Sequence, residues 1–183
     1  MIACIGWGSL IWHKRNLDVD GEWRADGPTL PVEFARLSND GRITLVLVQG
    51  FEPVPTLWSA FNTHDLAKAR ESLRHRERIP QSRAAESIAH WLRGENPASE
   101  PRATISAWAA GKNLEAGVWT NLPPKFDGVN GRVPTESELV AYLQTLEGQA
   151  RAAAEEYVRR APRQIATAYR RVIERALGWT PID

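Results

Sequence analysis

The first twelve residues constrain the fold more than any other stretch of the chain. Ile2-Ala3-Cys4-Ile5 is an apolar run of strand length. It passes directly into Gly6-Trp7-Gly8-Ser9-Leu10-Ile11-Trp12. Glycine permits positive φ and lets another group approach the backbone closely. A strand ending in such a turn can aim several backbone N–H groups into one concavity. That arrangement suits a carboxylate, a phosphate or a developing oxyanion.

The 183 residues are expected to form a single domain, 1–183, with residues 135–179 a helical C-terminal extension. With 43% hydrophobic and 25% charged residues there is apolar material for a core. A formal net charge of +1 gives no electrostatic ground for nucleic acid or a membrane surface as partner. Cys4 is the single cysteine, so an internal disulfide and a cysteine-rich metal site are excluded. Its apolar strand predicts a buried, inert thiol. The leading apolar run is too short to span a membrane and lacks the basic start of a signal peptide, so a cytoplasmic location is expected.

The first half reads mainly as strand. After a polar loop from His13 to Pro28, residues 30–38 form a candidate strand. Asn39-Asp40-Gly41 is a hairpin turn signal, and residues 42–49 return as the partner strand. A further strand is expected within 54–61. Asn62 or Thr63 can cap a helix that starts near His64 and ends near Glu77, because Pro80 biases Ile79 away from helix. A short helix over 87–93, a loop over 94–101, and strands over 103–109 and 114–120 follow. Beyond a loop at 122–133 the character becomes helical. Thr135 and Glu138 form a capping box, helix resumes over 150–160, Pro162 opens the last helix, and Gly178 stops it. Strand-rich first and helical last, the layout predicts an α+β fold.

Few residues are arranged for chemistry. His13, His64, His75 and His90 show no metal-ligand spacing. Ser9 lacks the Gly-x-Ser-x-Gly setting of a nucleophile elbow, and its hydroxyl is expected to cap the turn. Arg74-His75-Arg76-Glu77-Arg78 reads as a solvated helix end. Within it, Glu77 stands where the helix stops, and a carboxylate fixed there could serve as general base and then acid. Glu33 lies between Val32 and Phe34 and so faces the other way; outward if those two enter the core, into a cavity if the strand lines a barrel. The alternation favours the outward reading. The arginines of the last two helices are interleaved with Glu155, Glu156 and Glu174, which predicts solvated or salt-bridged faces. Trp7, Trp12, Trp58, Trp108 and Trp119 could enclose an aromatic pocket, although core packing is the usual fate of tryptophan.

Gly6-Trp7-Gly8-Ser9-Leu10-Ile11-Trp12 resembles the Gly-Tyr-Gly-Ser-Leu-Ile-Trp opening of the ChaC-type γ-glutamylcyclotransferases. It is also similar to the Tyr-Gly-Ser-Asn-Leu loop of the wider γ-glutamylcyclotransferase-like superfamily. Residues 33–38, 54–61 and 62–77 resemble, in order, that family's second strand, the strand before its helix, and the helix leading to its acid/base glutamate. The resemblance implies a small mixed β-barrel with surrounding helices and Glu77 as general acid/base. It implies that Trp7, Gly8, Ser9 and Leu10 cradle a substrate carboxylate or oxyanion. The implied reaction cyclises a γ-glutamyl amide or amine to 5-oxoproline and releases the amine, with no metal or organic cofactor. Trp7 departs from the pattern: an indole stands where the family has a phenol. A non-catalytic binding module on the same fold is the alternative.

Overall fold

A computed structural model describes residues 1–97 and 99–182. The chain runs β1 (Ile2–Gly6), β2 (Thr29–Leu30), β3 (Val32–Leu37), β4 (Ile43–Leu47), β5 (Val54–Pro55), β6 (Leu57–Ala60) and α1 (Leu66–Glu77). A 3-10 turn (Gln81–Arg83) then leads to α2 (Ala84–Ser87), β7 (Ile88–Leu92), α3 (Glu100–Ala109), β8 (Ala116–Thr120), β9 (Lys125–Phe126) and β10 (Val129–Asn130). Helices α4 (Glu136–Thr145), α5 (Gly148–Arg160) and α6 (Ala168–Leu177) complete a mixed α+β protein. The chain divides into two compact units. The first comprises Met1–Gly6, His13–Leu30 and Pro55–Leu122; the second comprises Trp7–Trp12, Pro31–Val54 and Pro123–Asp183. Among the described residues the strand ladders are open, and no closed barrel forms.

The first unit is built on a sheet of order β6-β1-β8-β7. The N-terminal strand is central in it, antiparallel to β6 and parallel to β8. This position explains why every residue of β1 is buried: a strand flanked on both edges and covered on both faces needs an unbroken apolar run. Helix α1 packs on β1, β7 and β8 through Ala69 and Leu73. On the α3 side, Gly117 lets the sheet approach closely, since a Cβ there would stand 3.2 Å from Ile5 Cδ1 and 3.5 Å from Ile105 Cγ2.

Two expected elements exchange character here. The short helix expected over 87–93 is mostly β7, which pairs along its length with β8. Its backbone groups on the β8 side are satisfied by that ladder, so a long-range partner overrides a local preference. The strand expected over 103–109 is part of α3. The buried pair is Ile105 and Ala109, four apart on one helix face. Pro101 sits in the first turn, where its missing N–H costs nothing. The preceding expected loop, 94–101, includes Ala98, which lies outside the described residues. The N-cap of α1 is Asp65, not Asn62 or Thr63; its carboxylate accepts from the Ala67 and Lys68 N–H groups.

The second unit has a sheet of order β10-β9-β3-β4. Strands β3 and β4 form the expected hairpin, with a bulge between Phe34 and Arg36. Helix α6 packs on β3, α5 on β4, and α4 on α6. Both halves of the Thr135 capping box are present, and Gly178 caps α6 at φ +71° as its sequence position predicts. Arg170 is 2% exposed and donates to the carbonyls of Val158, Ala161, Pro162 and Ile165. It thereby closes the C-terminal end of α5, whose last carbonyls lack helical partners. The salt-bridged reading holds for Arg159 and Arg160, paired with Glu155 and Glu156, and for Arg170, whose Nε lies 3.3 Å from a Glu174 carboxylate oxygen; Arg170 differs only in being buried.

Candidate functional site

Glu77 is the last residue of α1, and its side chain is 20% exposed. Its carboxylate accepts a 2.6 Å charge-assisted hydrogen bond from Arg76 Nη1. Arg76 is only 3% exposed, so this part of the expected solvated helix end is in fact buried. Helix geometry supplies the reason: Ala69, Leu73 and Arg76 fall at spacings of four and three, which puts Arg76 on the stripe facing the sheet. A second guanidinium nitrogen, Nη2, donates to the His13 carbonyl at 2.8 Å. Arg15 Nη1 in turn reaches the Arg76 carbonyl at 3.4 Å.

Two non-glycine residues near the end of α1 adopt positive φ. Arg78, immediately after Glu77, caps the helix in the left-handed region at φ +56°, and Arg15 lies at φ +52°. A side chain in that region costs about 1–2 kcal/mol relative to the right-handed one. Strain of this kind persists where surrounding contacts over-determine it, and functional sites are such places. The Glu77 charge also reaches β1: burial first, and then Glu77, push the Cys4 thiol above its ordinary value, opposed by Arg76. Cys4 is thus a protonated, buried thiol, as its strand suggested.

The turn Trp7 to Leu10 belongs to the second unit, whereas Glu77 belongs to the first. Trp7 is buried and donates its indole N–H to the Leu45 carbonyl at 3.1 Å. Gly8 is required by a close approach, since a Cβ there would stand 2.5 Å from the Tyr157 hydroxyl. That hydroxyl also accepts from the Leu45 N–H at 3.3 Å. The Tyr157 ring stands edge-on to Trp12 and Phe34, with centroids 5.4 and 6.4 Å away. Ser9 is half-buried, Leu10 is buried, and the Ile11 N–H closes a turn onto the Gly8 carbonyl at 3.0 Å.

Glu33 corrects the sequence reading. It is 1% exposed and does not point to solvent. One oxygen accepts from the Phe34 N–H at 2.8 Å and from the Thr167 hydroxyl; the other accepts from the Tyr169 N–H at 3.1 Å. Thr167 is the N-cap of α6, so a strand carboxylate occupies the positive end of a helix. Burial nevertheless raises its pKa, with the hydrogen bonds from Thr167, Phe34 and Tyr169 acting against that rise. Both faces of β3 are covered at this point, which the alternation rule could not foresee.

The tryptophans divide between the units. In the first, Trp58 and Trp108 meet edge-on at 5.6 Å, and both indole N–H groups bind Asp26. Lys112 binds the Asp26 carboxylate at 2.5 Å, which with Trp58 holds its pKa low. This cluster fastens α3 to the loop preceding β2. Trp119 is buried in the sheet. Among the described residues, no three His, Cys, Asp or Glu side chains are placed to hold a metal ion, and no helix is long and apolar enough to cross a membrane.

Sequence reading missed Arg76 and Tyr157. Arg76 carried a signal, its place on the Ala69-Leu73 stripe; Tyr157 carried none, because its contact with Gly8 spans most of the chain. No family model matches the chain, and no curated protein or solved structure does either.

Proposed function

We propose that the chain is a γ-glutamylcyclotransferase-like enzyme that cyclises a γ-glutamyl amide or amine. The observation that carries the reading is the setting of Glu77. Its carboxylate ends a helix, remains partly accessible, and is aligned by a buried arginine. The same arginine also holds the His13 carbonyl, within the first unit. The resemblance of the Trp7 to Trp12 turn to the γ-glutamylcyclotransferase opening adds support.

In this reading the substrate's α-amine attacks its own γ-carbonyl carbon. A new C–N bond closes the five-membered ring, and Glu77 accepts the proton that the amine loses. Backbone N–H groups of Trp7 to Leu10 hold the oxyanion or the α-carboxylate. Collapse breaks the original C–N bond, Glu77 returns the proton to the departing nitrogen, and 5-oxoproline and the free amine leave. The protein's own groups suffice for every step, and the chemistry calls for no metal or cofactor.

One observation favours a second reading, a binding module without turnover. The Trp7 indole N–H is committed to Leu45, so this side chain offers a ligand neither a phenol nor a spare donor. Incubating the protein with a panel of γ-glutamyl peptides and amines and assaying 5-oxoproline separates the two. The enzyme reading expects release that Glu77→Gln removes; calorimetric binding with no release supports the module.

A further inference from the structure

A groove of about 830 Å³ lies between α1 and the segment from Gln81 to Ile88, within the first unit. Neither Glu77 nor any residue of the Trp7 to Leu10 turn lines it. Its apolar wall is Ala67, Ala84, Ala85 and Ile88, and three of these four side chains are single methyl groups that leave the space open. The volume falls in the range of small-molecule sites.

The charges in the groove do not balance. Its one acid is Glu71, and Glu71 is fully engaged: its two oxygens bind Arg74 at 2.8 and 2.5 Å, and one of them also meets His75 at 2.8 Å. The remaining Arg74 nitrogen donates to the Ile79 carbonyl at 2.6 Å. Arg70 has no carboxylate partner among the described residues. Its Nη2 donates to the Ile88 carbonyl at 3.2 Å, and its buried Nε–H finds no acceptor. Its uncompensated charge is felt nearby, where burial first and then Arg70 lower the pKa of His90. Lys68, at the exposed edge, also makes no ion pair among the described residues. A part-buried guanidinium without a counter-charge, beside an open apolar wall, is half of a recognition site.

We propose that this groove binds a small organic anion, a carboxylate carried on an apolar body. The carboxylate pairs with the Arg70 guanidinium, Lys68 adds long-range attraction, and the body lies over the alanines and Ile88. The site is independent of Glu77 and of the cyclisation reading.

Octanoate is the probe, titrated calorimetrically into the intact chain, with octan-1-ol and inorganic phosphate in parallel as carriers of one feature each. The expected result is one saturable site for octanoate, with both controls weaker by roughly tenfold or more, the equivalent of one charge-assisted hydrogen bond. Arg70→Gln weakens octanoate by roughly tenfold on the same basis, and Ala85→Trp, which fills the groove from its exposed side, abolishes binding. Absence of saturable octanoate binding overturns the proposal. So does unchanged affinity in Ala85→Trp, a variant that decides the matter even where Arg70→Gln fails to fold. Phosphate binding as tightly as octanoate overturns it as well.

Discussion

Two glutamates, one in each unit, show how differently a carboxylate can be used. Glu33 is almost fully buried and surrounded by donors from β3 and the start of α6. Glu77 keeps 20% of its side chain accessible and is held on one side, by Arg76. The first has no oxygen left for a ligand and serves to join a strand to a helix. The second has an aligned and reachable carboxylate, which a proton-transfer role requires. Burial alone would have ranked them in the opposite order; what separates them is whether the hydrogen-bonding capacity is spent within the protein.

The contrast can be broken from the Glu33 side first. Glu33→Ala leaves the Thr167 hydroxyl and the Tyr169 N–H without their acceptor, and is expected to cost about 3 kcal/mol of unfolding free energy. Urea denaturation measures this, and a loss below about 0.5 kcal/mol, the scale of a neutral surface change, contradicts the structural role. Gly8→Ala comes next. It forces a methyl group against the Tyr157 hydroxyl, and overpacking of this kind costs about 1–3 kcal/mol; Tyr157→Phe in the same background relieves part of the loss.

The third effect is a pH dependence. The folded-state pKa of Glu33 is raised, so the protonated form is the one the fold favours. Its contribution is fully present below the unfolded value of about 4.3 and is lost as pH rises through the raised folded value. Stability measured from about pH 4 upward therefore declines more in the wild type than in Glu33→Gln, which has no such group to ionise. Parallel profiles for the two proteins contradict the assignment. A smaller effect tests the strain beside Glu77. Arg78→Gly removes the left-handed penalty at φ +56° and is expected to stabilise by about 1 kcal/mol, read as a higher urea midpoint at unchanged slope.

The sequence disclosed those parts of the molecule whose causes are local. The unbroken apolar run of β1, the Asn39-Asp40-Gly41 hairpin, the Thr135 capping box and the Gly178 stop each depend on neighbours within a few residues. Residues 87–93 were misread because ladder pairing with β8, a contact distant in sequence, decides them, and residues 103–109 because Ile105 and Ala109, four apart, are buried on one helix face. Glu33 was misread for a related reason: period-two alternation assumes one solvated face, and α6 covers the face that was assigned to water. Of the candidate site, the place of Glu77 at a helix end was legible. The burial of Arg76 was only half legible, as a helical stripe that a run of charges concealed. The pressing of Tyr157 against Gly8 was invisible, since nothing near either residue announces the other.

The most direct test of the account is the Glu77→Gln variant, followed for both turnover and stability. The amide oxygen can still accept from Arg76, so unfolding free energy is expected to change by no more than about 1 kcal/mol. Release of 5-oxoproline from a γ-glutamyl substrate is expected to fall by at least about 10²-fold, the lower end of what general acid–base catalysis supplies. A variant that remains folded and releases 5-oxoproline at the wild-type rate contradicts the account.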